Sequence, residues 1–243
     1  MRRAGRIAAA ALEAAGIMVK VGATTKSINK RMHDFIISHG AAPAFLNYNG
    51  YPASVCISVN EEVIHGIPST RVIADGDIVS IDIGVVKDGF IGDCAATFIA
   101  GAGSAESERL INVTRECFFK CLEFARVGFR VSDISRSVQQ YAEGNGYSVV
   151  KEYVGHGVGT KVHEPPELPN FVEIPRKKAD PRLLPGMTLA IEPMVNAGAA
   201  GVRVLSDGWT VVTIDGKLSA HYENTVLITD SEPEILTIIE DMP

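Results

Sequence analysis

Two aspartates on a candidate hairpin are the first residues of this chain whose types and spacing could do chemistry. Asp82 and Asp93 lie in two β-rich runs that flank Asp88-Gly89. Asp-Gly favours a two-residue hairpin turn, which pairs Asp82 with Ala95 and Asp93 with Gly84. The two carboxylates then share a face as diagonal neighbours, with β-carbons about 7–8 Å apart. Burying both is costly without a positive charge between them, which favours a divalent metal. Two solvated acids on an exposed hairpin are the alternative.

A second acidic pair follows in the same setting. The segment 186–192 repeats the glycine, apolar and acidic positions of segment 76–82 and ends on Glu192. The later apolar run 221–228 carries a second carboxylate, Glu223. One such pair could arise by chance, but two with matching flanks indicate a shared site.

Composition and charge bound the class of protein. The 243 residues are 46% hydrophobic and 21% charged, which suits a globular protein with a sizeable core in one large domain or two small ones. A net charge of −6 argues against a nucleic-acid-binding or anionic-membrane surface. The one basic run, at 176–178, lies in a proline-rich stretch and is interpreted as a solvated turn. The four cysteines show neither a disulfide framework nor a CxxC pattern, which favours the reducing cytoplasm.

The N-terminus superficially resembles a signal peptide. Arg6 and Glu13 bracket a very short alanine-rich run, which is too weak for the apolar region of such a peptide. An amphipathic helix over about residues 3–20 is therefore predicted instead. No stretch of about 18 apolar residues occurs, so no membrane span is predicted.

Helix pairs precede each acidic region. The second predicted helix is capped by Thr25 and closed by Gly40. The third is capped by Ser104, and the fourth is capped by Ser132 and ends near Gly146. Matching apolar and glycine positions of the two pairs are displaced by 106 residues, from Val21 to Val127 for example. The repeat predicts two similar halves, about 1–103 and 104–243, around a pseudo-two-fold axis. Such an axis would bring the two acidic regions together.

A glycine-flanked histidine lies between the second helix pair and the second acidic region. Residues 155–159 read Gly-His-Gly-Val-Gly and only superficially resemble a dinucleotide-binding fingerprint, because they do not open a helix after a strand. Flanking glycines also let the backbone fold closely around a histidine that faces a metal. We therefore interpret His156 as a metal ligand.

In sequence order, these acidic residues and this histidine resemble the ligand series of the type I methionine aminopeptidases. The matching segments are 56–68, 77–98, 155–166, 189–196 and 209–225, and the resemblance covers essentially the whole chain. It implies an α+β pita-bread fold, in which two helix pairs back a curved antiparallel sheet with a pseudo-two-fold internal repeat. It also implies two divalent metal ions, with cobalt, manganese, iron, zinc and nickel as candidates.

The resemblance also implies the role of each ligand. Asp82 would bind one metal, and Asp93 and Glu223 would bridge both. His156 and Glu192 would complete the shell of the other ion. Glu192 would in addition act as a catalytic residue that accepts and relays a proton. Carboxylates and imidazole are ligand types that suit first-row divalent ions.

The remaining histidines differ in their contexts. The resemblance implies that His163 donates a hydrogen bond to the substrate carbonyl oxygen and that His65 contacts the scissile amide, so both are catalytic and substrate-binding candidates. His33 and His39, on an amphipathic helix and at its end, are interpreted as structural. His221 shares a strand face with Glu223, but the resemblance assigns it no role.

An apolar pocket for an unbranched thioether is implied beside the metals. The residues placed there are Phe45, Tyr48, Tyr51, Cys56, Val162 and Trp209. Aromatic and sulfur groups suit a methionine side chain. Val162 departs from the family, whose bacterial members often have an aromatic residue or methionine there, and a smaller wall would loosen selectivity. Cys94 replaces a usual threonine or serine.

The expected function is removal of N-terminal methionine from nascent polypeptides with a small second residue. The expected protein is a cytoplasmic monomer that meets its substrates at the ribosome. A proline-directed peptidase of the same fold is the closest alternative, but such enzymes usually carry a large N-terminal domain and a second histidine where this chain has Gly159-Thr160. A non-catalytic binding module is the other alternative, although such modules typically lose ligands that are all present here.

Overall fold

The computed structural model describes residues 1–172 and 180–238. The predicted solvated turn at 176–178 lies outside these residues. No helix within them has the length and apolar character needed to cross a bilayer.

Four α-helices and fifteen strands form the fold of the described residues. The helices are α1 (Arg2–Met18), α2 (Thr25–Ser38), α3 (Ala105–Cys121) and α4 (Val131–Gly144). The strands are β1 (Ala42–Pro43), β2 (Cys56–Val59), β3 (Glu62–Ile64), β4 (Ile78–Lys87), β5 (Phe90–Ile99), β6 (Ser148–Val149), β7 (Gly155–Gly157), β8 (Glu164–Leu168), β9 (Thr188–Ile191), β10 (Met194–Asn196), β11 (Val202–Val204), β12 (Val211–Thr213), β13 (Ser219–His221), β14 (Glu223–Leu227) and β15 (Glu234–Ile235).

The helix N-termini confirm one predicted cap and correct two. Ser104 caps α3 as predicted, because its hydroxyl accepts a hydrogen bond from the Ser107 N–H. The cap of α2 is Thr24 and not Thr25, which is the first helical residue. The prediction of Ser132 as the cap of α4 is also wrong, because Ser132 lies inside the helix. Its N–H and hydroxyl donate to the carboxylate of Asp180, which is remote in sequence.

The first acidic hairpin has the predicted register. Asp82 pairs with Ala95 and Gly84 with Asp93 between the antiparallel strands β4 and β5. Asp88 and Gly89 form the two-residue turn, with φ of 52° and 80°. These positive φ values suit Asp and Gly better than branched residues, so local sequence explains this register.

An antiparallel sheet of nine strands brings the two acidic regions together. Its main path runs β1-β4-β5-β14-β9-β7-β8, with β2 also paired to β4 and β15 to β14. At the junction of the halves, Glu223 on β14 pairs with Ala95, which itself pairs with Asp82. On the other side of β14, Thr225 pairs with Ala190 of β9, and Ala190 in turn pairs with His156 of β7. The sheet thus delivers all these side chains to one region.

The internal repeat is visible in matching backbone hydrogen bonds. The N–H of Thr25 donates to the carbonyl of Arg71, and the N–H of Val131 donates to that of Pro181, both at 3.2 Å. Val131 lies 106 residues after Thr25, and Pro181 lies 110 residues after Arg71. The two halves thus share this contact, in agreement with the predicted repeat.

Each helix pair covers its own half of the sheet. Helices α1 and α2 pack on β2, β4 and β5 around a core that includes Ile28, Met32 and Ile81. Helices α3 and α4 form a second core with the later strands, centred on Phe118. The alanine-rich α1 approaches β5 so closely that a β-carbon on Gly92 would lie 2.5 Å from the nitrogen of Gly5. Small residues at the N-terminus therefore serve helix–sheet packing.

Candidate active site

One cavity of about 230 Å³ contains every side chain predicted for the site. The thirteen predicted residues that line it are Phe45, Tyr48, Tyr51, Cys56, His65, Asp82, Asp93, His156, Val162, His163, Glu192, Trp209 and Glu223. A fourteenth lining residue, Asn49, was not predicted; it has a positive φ of 49°. The cavity is smaller than the roughly 300–1,000 Å³ of drug-sized pockets, so it suits a single side chain with its backbone.

Two overlapping groups of possible ligand atoms lie beside the cavity. In one group, Asp93, His156 and Glu223 present ligand atoms within 4.8 Å of one another, and in the other Asp82, His221 and Glu223 do the same. Glu223 belongs to both groups. These groups contain four of the five predicted ligands and add His221, to which sequence reasoning assigned no role.

The fifth predicted ligand, Glu192, follows β9 and lies between the two groups. Its Oε1 is 3.4 Å from Nε2 of His156, and its Oε2 is 3.7 Å from Nε2 of His221. The Asn170 amide donates to the backbone carbonyl of Glu192 at 2.9 Å and so fixes the chain there. We call Asp82, Asp93, Glu192 and Glu223, together with His156 and His221, the ligand cluster.

Several buried atoms of the ligand cluster have no hydrogen-bond partner within residues 1–172 and 180–238. They are Asp82 Oδ1, Asp93 Oδ1, Glu223 Oε1 and His221 Nε2. Buried polar atoms are normally satisfied, and each one left unpaired costs about 1–3 kcal/mol. Unpaired carboxylate oxygens that converge with imidazole nitrogens have the donor chemistry of a first-row divalent metal site. The cluster therefore fits the metal that the sequence predicts.

Burial governs the protonation of the carboxylates. It raises the pKa of all four carboxyl groups above their ordinary values. Repulsion from Asp93 and Asp82 raises the pKa values of Glu192 and Glu223 further. A bound divalent cation would offset both effects and favour the ionised forms.

The two imidazoles of the cluster are neutral near pH 7. Burial lowers the pKa of His156 to about 4 and that of His221 to about 3. The Nδ1–H of His156 donates to the Gly157 carbonyl at 2.9 Å, which leaves the Nε2 lone pair free for a cation. Glycine is required at 157 because a β-carbon there would collide with the backbone of Pro165.

Two threonines hold the ligand-bearing backbone at the junction of β5 and β14. Thr225 Oγ1 accepts from the Asp93 N–H at 3.0 Å and donates to the Asp93 carbonyl at 2.9 Å. Thr97 Oγ1 similarly accepts from the N–H of His221 at 2.9 Å. Sequence reasoning missed both, because each contact joins residues more than 120 positions apart.

The catalytic candidates His163 and His65 flank the cluster. The ring of His163 lies 4.3 Å from that of His156, and its Nδ1 is 2.8 Å from the hydroxyl of Tyr48. His65 adopts a positive φ of 59° and packs edge-on against Trp209 at 6.3 Å. Burial lowers the pKa of His65 to about 4.

Apolar side chains form another wall of the cavity. Phe45, Tyr51, Cys56 and Val162 are buried in one cluster, and Trp209 packs against it. The Tyr51 hydroxyl donates to the Gly66 carbonyl at 2.8 Å, which leaves its ring for packing.

The other two histidines lie elsewhere. His33 is hydrogen-bonded to Ser54 at 2.8 Å, and His39 to the Phe35 carbonyl at 2.8 Å. Neither lines the cavity, so both have the contacts of structural residues.

The sequence signature of metallopeptidase family M24 matches residues 1–230, and the chain belongs to this family. Within the family it is similar to the methionine aminopeptidase of Clostridium perfringens, with 54% identity over 99% of this chain and 95% of the relative. The crystal structure of a methionine aminopeptidase from Thermotoga maritima matches with a TM-score of 0.94 and 41% identity, over 98% of this chain and 95% of the other.

A prolidase from Pyrococcus furiosus shares the fold alone. Its TM-score is 0.78 at 23% identity, over 98% of this chain but 63% of the prolidase. The predicted pita-bread fold is confirmed by these matches, as is the predicted class of a metal-dependent aminopeptidase.

Proposed function

We propose that this chain removes the N-terminal methionine of polypeptides whose second residue is small, with two divalent ions at its ligand cluster. The observation that carries the proposal is one cavity in which an apolar wall faces the unpartnered carboxylates of the cluster. The apolar wall accommodates an unbranched apolar side chain. A substrate bound in this way would have its free amino terminus and first peptide bond beside the carboxylates. The names of the similar proteins agree with this substrate.

In this proposal, Asp82 would hold one ion, His156 and Glu192 would hold the other, and Asp93 and Glu223 would be shared by both. Divalent ions so bound supply Lewis acidity, which lowers the pKa of water and polarises a peptide carbonyl. The physiological metal is one of manganese, iron, cobalt, zinc or nickel.

The residues of the protein then divide the remaining work. Glu192 accepts a proton from the attacking water and passes it to the leaving amine. If the Tyr48 hydroxyl donates to Nδ1 of His163, Nε2 of that ring carries the proton and donates to the carbonyl oxygen as negative charge develops. His65 contacts the scissile amide.

Substrate selection follows from the apolar wall. Phe45, Tyr48, Tyr51, Cys56, Val162 and Trp209 enclose the first side chain. The cavity volume of about 230 Å³ leaves little room for a bulky second residue beyond it. The proposal includes a monomer of one catalytic domain, 1–243, that meets nascent chains in the cytoplasm, at the ribosome.

A peptide-release assay tests the function directly. Chelated protein should release no methionine from Met-Gly-Met-Met, and manganese, iron(II) or cobalt(II) should restore release. A bulky second residue should block it. Glu192→Gln should abolish turnover, whereas Glu234→Gln, at an exposed carboxylate paired with Arg2, should not. Cleavage of proline-directed peptides instead, or full activity in Glu192→Gln, would overturn the proposal.

A further inference from the structure

The imidazole of His221 is the buried group of the site that the proposed mechanism does not use. Its side chain is 2% exposed, and its Nε2 has no hydrogen-bond partner among the described residues. Nε2 lies 3.7 Å from Oε2 of Glu192 and 3.8 Å from Oε2 of Glu223. Both distances exceed those of hydrogen bonds, so the nitrogen points at carboxylates that it does not bind.

The position of this nitrogen fits a cation between the same carboxylates. Asp82, His221 and Glu223 bring three ligand atoms within 4.8 Å of one another, as Asp93, His156 and Glu223 do. Each group therefore combines one aspartate of the first hairpin, one imidazole and the shared Glu223. The two cation positions are chemically alike only if His221 is counted as a ligand.

The backbone of His221 is held in place independently of any ion. Its N–H donates to Thr97 Oγ1 at 2.9 Å, and its carbonyl accepts from the same hydroxyl. His221 stands two residues before Glu223, just as Ile91 stands two residues before Asp93 in the first half. Ile91 is buried in an apolar cluster, so the repeat itself needs no imidazole at this position.

We propose that Nε2 of His221 is a direct ligand of the divalent ion held by Asp82 and Glu223. This inference rests on the proposed two-ion function. With His156 on the other ion, each ion has one nitrogen ligand. Imidazole suits iron, cobalt, nickel and zinc better than manganese. Binding by His221 would therefore raise the affinity of the Asp82–Glu223 position for those ions relative to manganese.

The alternative is an imidazole that only orients a carboxylate. Loss of such a neighbour lowers metal affinity by about 10–100-fold, so reduced affinity alone cannot separate the two roles. Proton NMR of the cobalt(II)-loaded protein can. The ring N–H of a directly bound imidazole receives unpaired spin through the metal–nitrogen bond, which gives a strongly shifted resonance that disappears in D₂O.

The count of these resonances decides the proposal. Protein loaded with two cobalt ions should show two, from His156 and His221, and His221→Gln should show one. His33→Gln, a matched change outside the cavity, should retain both. Calorimetric titration of the metal-free His221→Gln variant with cobalt(II) should show that the second ion binds at least about tenfold more weakly than it does to the wild-type protein.

The wild-type spectrum keeps the test decisive even if His221→Gln fails to fold. A single shifted N–H with two cobalt ions bound would overturn the role of His221 while leaving the proposed function intact. Failure of the wild-type protein to take up two ions would instead overturn the two-ion function itself, and this inference with it.

Discussion

Replacement of Thr225 by valine should destabilise both the fold and the metal site. Thr225 is fully buried, and its hydroxyl bonds both backbone groups of Asp93, at 3.0 and 2.9 Å. Valine keeps the shape but removes both bonds, so the N–H and carbonyl of Asp93 are left buried and unpaired. At about 1–3 kcal/mol for each group, the loss should be at least about 2 kcal/mol. For a chain of this size, Tm should fall by at least about 4 °C.

The assay is urea denaturation of metal-free protein, followed by calorimetric titration with manganese. Thr114→Val is the matched control, because Thr114 is equally buried on α3 and its hydroxyl donates only to the Leu110 carbonyl. That carbonyl is also positioned to accept the helical N–H, so the control should lose less than about 1 kcal/mol and bind metal normally. Equal stability losses in the two variants would refute the reasoning, as would unchanged metal affinity in Thr225→Val.

Three further predictions follow from the site. Burial raises the pKa of Asp93 to about 7, so between about pH 4 and pH 7 the metal-free folded protein keeps a proton that the unfolded chain releases, and the stability of the metal-free fold falls as pH rises through this range. Manganese competes with that proton, so the rise in Tm on adding manganese should be larger at pH 8 than at pH 5. Equal rises at the two pH values would contradict this. Tyr48→Phe removes the hydroxyl that is hydrogen-bonded to His163 and should lower kcat/KM by about 2–13-fold with little change in Tm. Tyr51→Phe, which removes a hydroxyl bonded to the Gly66 carbonyl, should mainly lower Tm. Identical behaviour of the two variants would exclude an orienting role for Tyr48. Val162→Phe should raise the ratio of kcat/KM for methionine over phenylalanine as first residue about tenfold, and an unchanged ratio would show that Val162 does not set the width of the pocket.

Local sequence was sufficient to predict the first half of the site. Asp88-Gly89 fixes the turn, and the two-residue period of a strand then fixes which side chains face Asp82. The internal repeat extended this reasoning to Glu192 and Glu223. These features depend on neighbours in sequence or on a period, both of which are readable without coordinates.

The features that sequence reasoning missed depend on contacts between distant segments. The true partner of the α4 N-terminus is Asp180, almost fifty residues from the helix start. The role of Thr225 depends on pairing with β5, and that of Asn170 on the path of the chain after β9. His221 was recognised on the face of Glu223, but its distance from Glu192 follows only from the assembled sheet.

The position of β14 sets the order in which the site can be completed during synthesis. This strand lies between β5 and β9 in the sheet, yet Glu223 is made 130 residues after Asp93. At a translation rate of about 5–20 residues per second, roughly 7–26 s pass between the synthesis of Asp93 and that of Glu223. Until then one edge of β5 lacks the strand that covers it, and unpaired edges promote association between chains. The site is therefore complete only after β14 has been made, and the first half of the chain benefits from protection while the ribosome synthesises the second half.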